Sequence, residues 1–172
     1  MSARIEREPG PGKSRTTVER RSDREVVVTR TINGPARVVF EAFTRAELLK
    51  RWWVPKSMGM TLLSCEVDAR VGGTYRLVFD HDPEPVAFFG TYVEVTPNAR
   101  LAWTNEEGGE GGSVTTVTFE EQGGRTLVVV RETYPSKEAL DAAGTGAAEA
   151  MVETFAQLDE LLVALGESSG QQ

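Results

Sequence analysis

The stretch that most limits the fold of this chain lies near its C-terminus. Residues Lys137 to Leu165 read KEALDAAGTGAAEAMVETFAQLDELLVAL. Met151, Phe155, Leu158, Leu162 and Leu165 recur in steps of four and three, which is one face of an α-helix. Glu149, Glu153, Asp159 and Glu160 fall on the other face and are expected to be solvated. Gly144 and Gly146 interrupt the pattern, and glycine inside a helix costs about 1 kcal/mol relative to alanine. The spacing therefore predicts a break there, with Lys137 to Ala143 as a separate short helix. After the break come Ala147, Ala148 and Ala150, too small to fill a core, and then the flexible thioether of Met151. Such a helix is either an ordinary core helix or one that packs at one end and roofs a space beneath residues 147–151 at the other.

The chain before it alternates between strands and turns. Residues 1–16 are rich in Pro, Gly and charge and are expected to form a flexible tail. From Thr17 to Ile32 the residues become dense in β-branched types, as a strand requires. Asn33-Gly34-Pro35 ends that strand. Pro35 suits a first helical position, and Thr44 with Glu47 fits a capping box opening a second short helix that Pro55 stops. Neighbouring residues in a helix point about 100° apart, so one of Trp52 and Trp53 is expected in the core and the other at a cavity or its mouth. About six more strands follow. In one of them Tyr75, Leu77 and Phe79 share a face; in another Leu101 and Trp103 do. The glycines from Gly108 to Gly112 join two strands and read as a flexible hairpin tip, since a phosphate cradle would feed a helix. Strands this close in sequence pair antiparallel, which gives an α+β fold. One domain is expected over residues 17–166, with 167–172 as a C-terminal tail.

Composition excludes several classes. Of 172 residues, 40% are hydrophobic and 26% charged, ordinary values for a soluble domain. The formal net charge is −7. Residues 1–24 hold seven Lys/Arg against four Asp/Glu, a net of +3, which leaves −10 for the remainder. An acidic body argues against nucleic acid and anionic membrane as partners. There is no apolar run long enough to span a bilayer and no secretory leader, so a cytoplasmic location is expected. Cys65 is the single cysteine and reads as an inert thiol in a strand.

Candidate chemistry is sparse. One His and one Cys cannot form a metal cluster, so no metal and no cofactor are expected. His81 stands beside Asp82 in a turn without the partner a triad needs. Glu66, Asp68 and Arg70 alternate along one strand and read as its solvated face; Glu132 and Tyr134 read the same way. The informative group is aromatic: Trp52, Trp53, Tyr75, Phe79, Phe88, Phe89, Tyr92, Trp103 and Phe155, interspersed with Gly73, Gly90 and Ala147. Such rings fill a core or line an apolar pocket.

Six blocks carry a resemblance. They are Phe40 to Thr44, Trp52 to Pro55, Val67 to Arg76, Phe89 to Pro97, Arg100 to Thr104 and the helix from Gly146 to Leu162. In this order they resemble the START-like (SRPBCC, Bet v 1-like) superfamily, in the branch related to the C-terminal domain of the activator of the heat-shock-protein-90 ATPase. The resemblance covers residues 24 to 165. It implies a helix-grip fold: a curved antiparallel sheet wrapped around the long C-terminal helix, two short helices after the first strand, and a hydrophobic cavity between sheet and helix. Members include lipid carriers, polyketide cyclases, antibiotic-sequestering proteins and cochaperones, and fold alone does not choose among them.

The reading adopted is a protein that binds a small apolar or aromatic molecule. Trp53, Tyr75, Phe88, Trp103, Met151 and Phe155 are expected to line the cavity. One alternative is a cyclase- or hydrolase-like enzyme using Asp68, Arg70 or Tyr75. Another is a cochaperone-like interaction module, although a chain of this length is not expected to hold the cochaperone's separate chaperone-binding N-terminal domain. A homodimer is compatible with all three.

Overall fold

The structure is a computed structural model that describes residues 3–6, 16–106, 112–144 and 146–170, with 3–6, 146–147 and 166–170 described as backbone only. Nine strands, in the order β1-β2-β3-β9-β8-β7-β6-β5-β4, make one antiparallel sheet among these residues. The first three are β1 (Ala3–Glu6), β2 (Thr17–Arg20) and β3 (Glu25–Ile32). β1 pairs with β2, so a strand lies within the stretch expected to be a tail. The expected single strand from Thr17 to Ile32 is instead a hairpin, turned at residues 21–24, where Arg21 N–H donates to the Glu25 carbonyl.

Helices α1 (Ala36–Thr44) and α2 (Ala46–Leu49) follow β3. The capping box is not formed. Thr44 is still the last residue of α1, and its hydroxyl donates back to the Phe40 carbonyl at 2.9 Å. That local bond competes with capping, so Arg45 takes the cap position of α2 and Glu47 pairs with Arg45 instead. A single 3-10 turn, Lys56–Met58, leads into the six remaining strands: β4 (Leu62–Val67), β5 (Thr74–Phe79), β6 (Val86–Thr96), β7 (Arg100–Thr104), β8 (Val114–Gln122) and β9 (Arg125–Thr133). β9 closes the topology by pairing with β3 along its whole length, Glu25 opposite Thr133 through Ile32 opposite Thr126. The glycine run at the β7–β8 connection lies outside the described residues except for Gly112.

Helix α3 (Lys137–Ala143) stands apart from the long helix α4 (Gly146–Gly170). Ser136 caps α3, its hydroxyl oxygen accepting from Ala139 N–H at 3.0 Å. Gly144 ends it with a φ of 69°, a conformation glycine adopts without strain. α4 runs on through Gly170, so residues 167–170 continue the helix rather than leave it as a tail. Its apolar stripe works as the spacing indicates: Phe155, Leu158 and Leu162 are buried, while Met151 and Leu165 are half-buried. They face a core built from Val26, Val28, Ile32, Val39, Phe43, Leu101, Val117 and Val128.

The polar side of α4 differs from expectation. Asp159 is not simply solvated: one of its oxygens accepts from Arg30 Nη2 at 2.6 Å and the other from Asn33 N–H at 2.9 Å. Arg30 is buried in β3 and also donates to Thr16 Oγ1 at 2.8 Å. A guanidinium there needs a counter-charge, because an unpaired buried ion is costly. The pair fixes α4 across the sheet.

Candidate functional site

Between the sheet and the N-terminal half of α4 lies a cavity of about 390 Å³. Three groups of residues build it. Helices α1 and α2 and the segment after them supply Phe43, Leu49, Trp53, Val54, Pro55, Met58 and Met60. The strands supply Tyr75, Leu77, Phe79, Phe88, Tyr92, Trp103, Val117 and Val130, and α4 supplies Ala150, Met151, Thr154 and Phe155. All six expected lining residues, Trp53, Tyr75, Phe88, Trp103, Met151 and Phe155, stand on its wall. Phe88 and Met58 are also exposed, 38% and 59%, which places them at the rim.

The tryptophan pair divides as expected. Trp52 is fully buried and its indole N–H donates to the Ala42 carbonyl at 2.9 Å, so its one polar group is satisfied inside the core. Its ring packs edge-on against Phe43 at 4.8 Å and Trp53 at 5.3 Å. Trp53 is half-buried and faces the cavity, 6.3 Å from Trp103. The chain that carries both rings is tied to α4. Gln157 donates to the Trp52 and Val54 carbonyls at 3.0 and 2.9 Å and accepts from Lys56 N–H at 2.9 Å. One turn earlier, Glu153 accepts from the hydroxyl and the N–H of Ser57, and these bonds hold its carboxyl below the usual carboxylate range. Gln157 and Glu153 thus position the Trp53 wall. Nothing in the one-dimensional pattern marks a buried glutamine as a clamp.

A polar strip crosses the apolar wall. Tyr75 OH donates toward the Thr104 carbonyl and Asn105 Oδ1, both at 3.0 Å. Asn105 in turn donates to Ser113 Oγ and Thr115 Oγ1 at 3.0 and 2.9 Å. Tyr75 sits across from Gly90 on β6. A Cβ at Gly90 would lie 1.8 Å from the Thr104 oxygen and 2.8 Å from the Tyr75 ring, so only glycine lets β7 approach and accept this bond.

Next to this network stand Glu132 and Tyr134, and here the sequence reading is corrected. Both were expected on a solvated face, yet both line the cavity. Glu132 keeps some accessible surface but is otherwise enclosed by protein, because the surface it keeps opens into the cavity. Burial pushes its carboxyl up to about 7. Among the described residues no hydrogen bond or ion pair reaches it, and no Lys, Arg or His lines the cavity. Tyr134 rises to about 12, from burial first and from the Glu132 charge second.

The groups considered for an enzyme lie elsewhere. Asp68 and Arg70 are exposed and pair with each other at 2.9 Å on the outer surface. Tyr75 alone of the three faces the cavity. His81 is exposed in its turn. Cys65 is half-buried with its thiol raised, mainly by burial, against a lowering influence of Lys50. No group of three or more metal-ligating side chains occurs among the described residues, and no helix there is long and apolar enough to cross a membrane.

Residues 33–163 match the family model of the activator of Hsp90 ATPase homolog 1-like proteins. The chain belongs to this family. Solved structures share its helix-grip fold. A Rhodobacter sphaeroides protein is 23% identical, with 95% of this chain and 99% of that chain covered and a TM-score of 0.74. A Nitrosomonas europaea protein is 24% identical over 85% and 98% of the two chains, also at 0.74. A Chromobacterium violaceum protein is 28% identical over 81% and 97%, at 0.67. No curated protein matches the sequence. At the level of the family, the match of residues 33–163 supports a ligand-binding or cochaperone-like module, with no ligand specified.

Proposed function

We propose that this member of the Hsp90 ATPase activator homolog 1-like family binds a small apolar or aromatic molecule in the cavity beneath α4, in the cytoplasm. The observation that carries the reading is the wall itself. Rings of Trp53, Tyr75, Phe88, Trp103 and Phe155 and the thioether of Met151 surround about 390 Å³. That is the size and chemistry of a small-molecule site: mostly apolar, with a few convergent polar groups. The small Ala150 on the roof leaves the space open, and the three methionines on the wall can adjust to ligands of different outline.

The experiment is a fluorescence titration with neutral N-phenyl-1-naphthylamine, using wild type and Ala150→Phe. Wild type should bind the dye with increased emission. The variant should bind at least about tenfold more weakly, since filling the space removes the apolar contacts that hold a ligand, with its melting transition retained. Indistinguishable titrations of the two proteins would exclude the cavity as the binding site.

A further inference from the structure

One group in the cavity is not explained by binding an apolar molecule. An evolving apolar site could carry Val or Leu at position 132, as it does at the inward positions Val128 and Val130 of the same strand. Instead β9 turns a carboxyl into the space. Its cross-strand neighbour Thr115 is engaged by Asn105, and Asn105 and Tyr75 hold each other. The polar groups beside Glu132 are therefore already committed, while Glu132 itself has no partner among the described residues. Its charged and titratable neighbours on the wall are Tyr134 just past the end of its own strand, Tyr75 on β5 and Tyr92 on β6; from α4 the wall receives only Ala150, Met151, Thr154 and Phe155. None supplies positive charge. Arg131, next in sequence, points to the opposite face and pairs with Glu25.

We propose, resting on the binding reading above, that the ligand carries a protonated basic nitrogen on its apolar, ring-bearing body, and that the Glu132 carboxylate pairs with that nitrogen. Folding has already stripped the carboxyl of much of its water, so a cation entering beside it regains attraction at a smaller further desolvation cost. The faces of Trp53, Trp103 and Tyr75 suit a cation as well as an apolar ring. Because burial leaves the carboxyl about half-protonated at neutral pH, binding of an ammonium there displaces a proton to solvent.

The test compares three probes of one shape by calorimetry: 1-naphthylmethylamine, 1-naphthylmethanol and 1-naphthoate. At pH 8 the amine should bind wild type roughly tenfold or more tightly than the alcohol, as expected for a charge-assisted pair, and the naphthoate most weakly. In Glu132→Gln the amine and the alcohol should bind alike, and a retained cooperative melting transition shows that the variant is folded. A second arm needs no variant. Between pH 8 and pH 5.5 the ionised fraction of a carboxyl near 7 falls about thirtyfold, so the amine's advantage over the alcohol should all but vanish, and near pH 7 only the amine should release protons, read from two buffers of different ionisation enthalpy. Alcohol binding with no amine preference, or a preference that survives Glu132→Gln, overturns this inference and leaves the cavity reading standing. Failure of all three probes overturns both.

Discussion

Replacing Glu132 with Gln should change how stability depends on pH, and the sign follows from burial. The carboxyl ionises near 4.5 when unfolded and near 7 in the fold. Between those values the native state holds a proton that the unfolded chain has given up. Stability then falls as pH rises, because the slope follows the protons bound by the unfolded minus the native state. The full benefit is present below about pH 4.5 and is lost as pH rises through 7. At about 1.4 kcal/mol per decade of proton affinity the loss is about 3 kcal/mol. Glutamine does not titrate, so wild type and variant should be compared by urea unfolding at pH 5, 6, 7 and 8. The advantage of Glu132→Gln over wild type should grow by about 3 kcal/mol across that range, and the difference removes the titration of every other group. A difference that stays constant would mean that the Glu132 carboxyl is solvated, and the argument from its burial would fail.

Other perturbations separate positioning from packing. Trp52→Ala should cost about 3–5 kcal/mol, as a large buried ring removed from a core does, whereas Trp53→Ala should cost clearly less and weaken N-phenyl-1-naphthylamine binding; equal losses of stability with binding unchanged would make both rings structural. Asp159→Asn should destabilise by about 3 kcal/mol or more, because it strands the buried Arg30 guanidinium, and an unaltered urea midpoint would contradict that pairing. Gln157→Leu removes three hydrogen bonds to the segment around Trp53; each freed buried group costs about 1–3 kcal/mol, and dye affinity should fall with it, a result that unchanged affinity would refute.

Much of this arrangement is legible in the sequence because it depends on periodicity and on glycine. The stripe from Met151 to Leu165 fixes the face that α4 buries, and Gly144 marks the break before it. The 100° separation of adjacent helical residues already divides Trp52 from Trp53. The six expected wall residues follow from the aromatic pattern combined with the fold resemblance. What the pattern could not supply is the choice of face where both faces are apolar. Leu127, Val128, Val129 and Val130 give β9 no alternation, so the side on which Glu132 and Tyr134 fall is decided by pairing with β3 and β8. The same limit applies to Asp159 and Gln157. A polar residue on a helix reads as solvated until the fold brings Arg30 or the Trp52–Lys56 backbone against it. The Thr44 box fails for a local reason, a competing bond to the Phe40 carbonyl that a four-residue pattern does not weigh.

The central claim, that a small molecule enters the space beneath α4, is tested most directly through the methionine methyls. Three of the four methionines, Met58, Met60 and Met151, line the cavity. With carbon-13 in the methyl groups, a titration with 1-naphthylmethanol should shift all three resonances, Met151 most because it lies on the roof rather than near the rim. In Ala150→Phe the Met151 shift should vanish at the same probe concentration. A Met151 resonance that stays in place in wild type, at probe concentrations that saturate any binding, would contradict the account.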